Sequence, residues 1–241
     1  MSPPPITLWY AVTAEVAGED LVGACSRVLS EEEETRRRAF LFEKNRHEYL
    51  VTRALCRGVL ATYTGVPPAE LAFTRSPYGQ PFLDPPGALR FSLTNTVRFV
   101  ACGVATERPL GIDAEPLDRG DDILGVADTV FTRDERAELA RLPLASRRLQ
   151  AVRLWTLKEA YMKARGMGFH LPPETFEVRF DPHPRLHHVD DGDRPARWEL
   201  TTRQVHDHVV ATCIERDDAA GPTHERGEIL YRAADLAALL A

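Results

Sequence analysis

Residues 155–180, WTLKEAYMKARGMGFHLPPETFEVRF, decide the fold, because their order of helix, turn and strand occurs earlier in the chain as well. Leu154, Leu157, Tyr161 and Ala164 recur at the spacing of a core-facing helical stripe. Pro172 and Pro173 then make a turn, and Phe176 and Val178 alternate as in a half-buried strand. The first half carries the same plan: HEYLVTRALCRG (47–58), then VPPAELAF (66–73) with Leu71 and Phe73 alternating. Next come FSLTNTVRFVACGVA (91–105) and WELTTRQVHDHVVATCIE (198–215), each two strand-like runs joined by a polar turn. Equivalent segments lie 105 to 110 residues apart. The sequence therefore predicts an α+β pseudo-dimer, with an N-terminal half over 1–110 and a C-terminal half over 111–241. The halves would meet near residues 106–112, and a cleft between them is where a ligand is expected.

The 241 residues suffice for such a pair with an ample core. A 44% apolar and 27% charged composition is that of a globular protein, and a net charge of −6 argues against coating nucleic acid or an anionic membrane. Any anionic ligand then needs a local basic patch. MSPPPITLWYAV at the start lacks the basic region of a secretory signal, and no apolar run is long enough to span a membrane. Cys25, Cys56, Cys102 and Cys213 are scattered, as expected for reduced, buried thiols in a cytoplasmic protein.

Two segments stand outside the repeat. EEEETRRRAFLFEKNRHEY (31–49) reads as a charged helix start with Ser30 as N-cap and acids in its first turn. DPHPRLHHVDDGDRPAR (181–197) reads as a solvent loop, which explains His183, His187 and His188 more simply than a metal site does. His206 and His208 would share a strand face, but QVHDH also reads as a hairpin end.

ERPLGIDAEPLDRG (107–120) is less ordinary. On a strand Asp113 and Glu115 point the same way, roughly 6 to 7 Å apart at about 3.3 Å rise per residue. Like charges so placed call for water, a basic group or a cation between them, and Pro116 ends the ladder beside them. On their helix, Glu159 and Lys163 read alone as an i, i+4 surface ion pair. Taken with Asp113 and Glu115, Glu159 would complete three converging carboxylates. Such oxygen ligands suit Mg²⁺, which commonly binds a substrate phosphate too, with Lys158 and Lys163 offsetting phosphate charge. The residues themselves point to Mg²⁺-dependent phosphoryl or phosphodiester chemistry.

GIDAE (111–115) followed by WTLKEAYMK (155–163) resembles the paired signature of the 4′-phosphopantetheinyl transferases, in the long single-chain type that activates peptide and polyketide synthetases. RRRAFLFEKNRHEY, PYGQPFL (77–83), FSLTNT (91–96) and VFTRDE (130–135) fall where that family has counterparts, so the resemblance covers most of the chain. It implies a fold of two similar α+β halves. It also implies transfer of the phosphopantetheine arm of coenzyme A to a serine of an acyl or peptidyl carrier protein, releasing adenosine 3′,5′-bisphosphate. The setting would be cytoplasmic: polyketide, nonribosomal-peptide or fatty acid synthesis and secondary metabolism.

Residue by residue, the resemblance implies that Asp113, Glu115 and Glu159 hold Mg²⁺. Glu159 or Lys163 would take the serine proton, Lys158 would contact phosphate, and Glu135 would be an auxiliary acid. Arg36 matches a phosphate-binding cation, with Arg37, Arg38, Lys44 and Arg46 enriching the patch. Gln80 stands where the family commonly has lysine in a G-K-P turn, and Thr94 and Asn95 stand where serine–histidine is common. All three positions are expected at the coenzyme A phosphates, bringing hydrogen bonds without charge. The internal duplication makes a working monomer the expectation. A metal-dependent phosphodiester hydrolase and a non-enzymatic coenzyme A-binding domain are the alternatives.

Overall fold

A computed structural model describes residues 6–189, 192–216 and 229–241. The chain begins with strand β1 (Ile6–Val12), then helices α1 (Glu19–Arg27), α2 (Glu31–Ala39) and α3 (Glu43–Thr64). Ser30 caps α2 as expected: its hydroxyl accepts from the Glu33 amide while the Glu33 carboxylate accepts from the Ser30 amide. The charged run is nevertheless two helices, because Phe40 and Phe42 are extended and break it. Hairpin β2 (Ala72–Arg75) and β3 (Pro81–Asp84) follows, then hairpin β4 (Leu89–Thr96) and β5 (Phe99–Thr106).

The second half repeats this order. Strand β6 (Leu110–Pro116) leads into short helices α4 (Gly120–Gly125), α5 (Ala127–Val130) and α6 (Arg133–Ala140), and into the long α7 (Leu144–Ala164). Hairpins β7 (Phe176–Phe180)–β8 (Pro184–Val189) and β9 (Trp198–Val205)–β10 (His208–Glu215) complete it. The chain then adds β11 (Ile229–Ala233) and α8 (Leu236–Leu239).

The duplication is explicit in the pairing. One sheet runs β1-β5-β4 and the other β6-β10-β9, all antiparallel, so each half places its strands in the same order. A boundary at 110/111 leaves out one exchange: β11 pairs in parallel with β1, so the last described segment belongs to the first half's sheet. The segment 181–197, expected as a loop, contains β8, half of a hairpin with a register shift at Glu177/Val178 whose outward residues are polar.

Strand alternation sorts the side chains into layers. Val100, Cys102 and Val104 of β5 face α3, whereas Phe99, Ala101 and Ala105 face the other sheet. There they meet Leu110, Ile112 and Ala114 of β6 and Val210 and Ile214 of β10. The remaining faces of β6 and β10 lie under α7. The order through the molecule is therefore α3, sheet, sheet, α7. All four cysteines are free and buried, and among the described residues no helix is long and apolar enough to cross a membrane.

Candidate active site

The site is built where α7 lies on β6. A Cβ on Gly111 would sit 1.9 Å from the Ala160 carbonyl oxygen, so only glycine lets the helix approach this closely. With Ile112 and Ala114 turned into the core between the sheets, Gly111, Asp113 and Glu115 must face α7. α7 is buried nearly all round over its second half; Leu154, Leu157, Tyr161 and Ala164 are core residues as expected. Glu159 and Lys163 are the half-buried positions on this stretch; Lys163 reaches Asp113 of β6, and Glu159 lies near enough to feel Asp113 and Glu115.

Lys163 does not pair with Glu159. Its Nζ lies 2.7 Å from Asp113 Oδ1, and the same oxygen accepts from Thr94 Oγ1 at 2.9 Å. Asp113 Oδ2 is buried with no hydrogen-bond partner. Glu115 is clamped by Arg119, whose Nη1 is 2.9 Å from both carboxylate oxygens. Burial and the negative Asp113 raise the Glu115 carboxyl above its ordinary value. Glu159 is pushed to about 7, first by burial, then by Asp113, with Lys163 pulling the other way. Three carboxylates thus share a confined space with two cations, and the most buried of them has an oxygen left over.

Those features fit a hard divalent cation: an oxygen-only donor set, an orphaned buried carboxylate oxygen, and a carboxyl raised to about 7 by burial and by its acidic neighbours. The expected convergence is incomplete, however. Among the described residues no group of three or more His, Cys, Asp or Glu is drawn together as a metal-ligand cluster. Lys163 and Arg119 supply the neutralising charge instead.

Lys158, expected at a phosphate, is corrected. It is fully buried, ion-paired to Glu135 at 2.8 Å, and donates to the Pro173 and Phe176 carbonyls. Glu135 in turn caps α6 with Thr132 and accepts from the Val178 amide, so it too is structural and not an auxiliary acid. On the wheel Lys158 lies one turn from Leu154 and from Tyr161, beside the core stripe; its charge and the family resemblance, not its spacing, suggest a phosphate.

The first half offers a cleft of about 490 Å³ between α2, α3 and β4, lined among others by Arg36, Tyr49, Arg53, Arg75 and Asn95. Arg37 and Arg38 pair with Glu34, and Arg46 with Glu43, so of the expected basic run it is Arg36 that faces this space. Alternation along β4 separates the two residues read together: Asn95 lines the cleft, while Thr94 turns to Asp113. Gln80 donates from Nε2 to the Lys163 carbonyl at 3.2 Å. Reading the sequence missed Arg119, Tyr49, Arg53 and Arg75. Arg119 follows a strand by way of a proline turn, where no fixed period relates it to Glu115. Arg53 reads as one more helical charge, although it and Arg57 hold Glu33 beside the cleft.

His183, His187, His188, His206 and His208 lie on the β7–β8 and β9–β10 hairpins. His206 occupies a positive-φ turn position with its ring edge-on to Tyr10, and His208 is buried against Phe99, its Nε2 3.0 Å from the Val97 carbonyl. His187 and His188 lie on β8 and are exposed.

Two family descriptions match the chain: "4'-phosphopantetheinyl transferase superfamily" over residues 109–213 and "4'-phosphopantetheinyl transferase, N-terminal" over residues 18–102. A 4'-phosphopantetheinyl transferase of Bacillus subtilis is 28% identical over 192 residues, 79% of this chain and 84% of that protein. A phosphopantetheinyl transferase of Thraustochytrium sp. is 28% identical across 93% of this chain and 83% of its own. The 4'-phosphopantetheinyl transferase HetI of Nostoc sp. is 34% identical over 58% of this chain and 60% of its own. A solved holo-(acyl-carrier-protein) synthase from Bacillus anthracis, 24% identical, superimposes with a TM-score of 0.39 over 44% of this chain and 94% of that one. With both halves matched in order, the chain belongs to the 4'-phosphopantetheinyl transferase superfamily and is an enzyme of that kind.

Proposed function

We propose that the chain transfers the 4′-phosphopantetheine of coenzyme A to a serine hydroxyl of an acyl or peptidyl carrier protein in a Mg²⁺-dependent reaction. The observation that carries this reading is the facing of Asp113 and Glu115 on β6 by Glu159 and Lys163 on α7, with one Asp113 oxygen unpartnered. Asp113, Glu115 and Glu159 would hold Mg²⁺, which would offset the charge of the pyrophosphate during transfer.

The serine oxygen forms its bond to the phosphorus bearing the pantetheine arm. The bond from that phosphorus to the bridging oxygen breaks, and adenosine 3′,5′-bisphosphate leaves with the electron pair. Glu159, ionised when Mg²⁺ is held beside it, would be the base that takes the serine proton. Lys163, a donor to Asp113, supplies positive charge beside the reacting phosphate instead. The basic cleft at Arg36, with Asn95 on its β4 wall, would receive the adenosine bisphosphate end. Thr94 acts through Asp113 rather than on the substrate.

All four charged groups come from one chain, so a monomer would be complete. Four free, buried thiols fit a reducing, cytoplasmic setting. The test is intact mass of an unmodified carrier after incubation with the protein, coenzyme A and Mg²⁺. The carrier gains one phosphopantetheine with the native chain and none with Asp113→Ala. Lys163→Met lowers kcat about a hundredfold or more, the usual scale for such a group. Free phosphopantetheine with an unchanged carrier would mark a hydrolase and end the transfer reading.

A further inference from the structure

The Gln80 contact has no counterpart in the phosphate role expected for this position. The turn between β2 and β3 is closed by Ser76, whose amide donates to the Gln80 carbonyl and whose hydroxyl accepts from the Tyr78 and Gln80 amides. Gly79 takes φ +84 there, and Arg75 fastens its carbonyl. The turn is thus rigid, and it aims the Gln80 side chain across the seam between the halves at the last turn of α7. The carboxamide Nε2 donates to the Lys163 carbonyl at 3.2 Å. Its Oε1 lies against Gly166, where a Cβ would approach to 2.2 Å. Gly166 ends the helix at φ +66, so the same glycine terminates α7 and makes room for the carboxamide. Tyr78 of the same turn packs on His170 just beyond, with ring centroids 5.0 Å apart.

The chemistry of a helix end says what this contact does. The last carbonyls of a helix lack the usual i+4 partners, and its last turn is where it frays. The Lys163 carbonyl accepts from the Gly166 amide at 3.0 Å and takes Gln80 as a second donor. Lys163 sits in that turn, on a long side chain whose Nζ must stay on Asp113 of a different element. A donor to its own carbonyl restrains the backbone from which that side chain springs. We propose that Gln80 is a positioning residue for the transfer reaction: from the first half it holds the end of α7 so that Lys163 keeps its place against Asp113. This rests on the transfer reading above.

The halves have other fastenings, including the apolar layer between the sheets and the Ser92 hydroxyl that accepts from the Ile112 amide, so Gln80 is not needed for folding.

Two readouts test it: steady-state kinetics with saturating carrier, and hydrogen exchange of the amides of residues 163–167 in the free protein. Gln80→Met keeps the length of the side chain and removes the donor; Gln80→Lys restores a donor to the same carbonyl. Gln80→Met should lower kcat about tenfold, the scale of a small misplacement, with the KM for coenzyme A held within about twofold. It should also speed exchange at 163–167, and Gln80→Lys should recover most of both losses. A raised KM with unchanged kcat would assign Gln80 to the substrate phosphates and overturn the proposal. Unchanged exchange, or faster exchange with normal kcat, would overturn it as well. Exchange is read without substrate, so it judges the tie even if the native chain transfers nothing and the transfer reading itself falls.

Discussion

At Glu159, geometry and titration lead to one measurable consequence. Its carboxyl is raised from 4.5 to about 7, so between those values the folded state binds a proton that the unfolded state has released. Its contribution to stability therefore falls as pH rises from about 4.5 to about 7, and levels off above. The change is at most on the order of 3–4 kcal/mol for such a shift. Removing the acid in Glu159→Gln should flatten that slope in thermal melts of the metal-free protein. Mg²⁺ favours the ionised carboxylates, so it should raise the melting temperature of the native chain more at pH 8 than at pH 6. A native melting curve rising with pH over this range, or Mg²⁺ protection equal at both pH values, would contradict the assignment. At this scale the sequence was informative about Asp113, Glu115, Glu159 and Lys163, because strand parity and helical spacing set which side a residue faces. It was silent on partners. That Lys163 takes Asp113 rather than Glu159, and Arg119 takes Glu115, depends on the packing of α7 across β6, which local periods do not encode.

Among the elements, α7 is the one whose surroundings the sequence conceals. A helix between a sheet and a layer of short helices and hairpins has little exposed face, and it carries charge inward where a partner waits. Lys158 and Glu135 join α7, α6 and β7 in this way, and burial works against the charge of each. Deleting one partner strands the other. Lys158→Met should therefore cost about 3–5 kcal/mol in chemical denaturation. Lys158→Met with Glu135→Gln should recover much of that loss, and the double-mutant cycle measures the coupling. Equal losses in the single and double variants would show that the pair is not the cause. Legibility of the other elements follows the same logic. The paired hairpins were plain because β4–β5 and β9–β10 alternate around short polar turns. Strand β8 was hidden because its solvent face carries Arg185, His187 and His188 next to prolines, the composition of a loop. The split between α2 and α3 was hidden because Phe40 and Phe42 read as helix-compatible apolar residues.

For the whole molecule, the last described segment is what a simple two-half picture omits. β11 pairs with β1 from Ile6↔Ile229 to Tyr10↔Ala233, and the Ala234 amide donates to the Tyr10 carbonyl. Leu236 is buried in the first half's core, and Leu239 and Leu240 press on α3 at Gly58, where a Cβ would meet them at 3.0 and 3.1 Å. Tyr231 also reaches the second sheet, where Arg203 lies over its ring at 4.7 Å. The segment is thus an edge strand and a helix cover for the first half, laid down after the second half is complete. Ending the chain before Ile229 would expose the β1 edge and the back of α3 while leaving Asp113, Glu115, Glu159 and Lys163 with all the partners described above. Loss of buried Leu236 and several partly buried apolar side chains costs a few kcal/mol, enough to move a melting temperature by several degrees. The damage should fall on the first half. Calorimetry of the truncated chain should show an early transition separating from a later one, and Mg²⁺ should still raise the later transition. Coenzyme A affinity should drop, because Arg36 and Asn95 belong to the half that has loosened. A single unshifted transition with unchanged affinity would show that β11 and α8 are ornaments on a first half already complete without them.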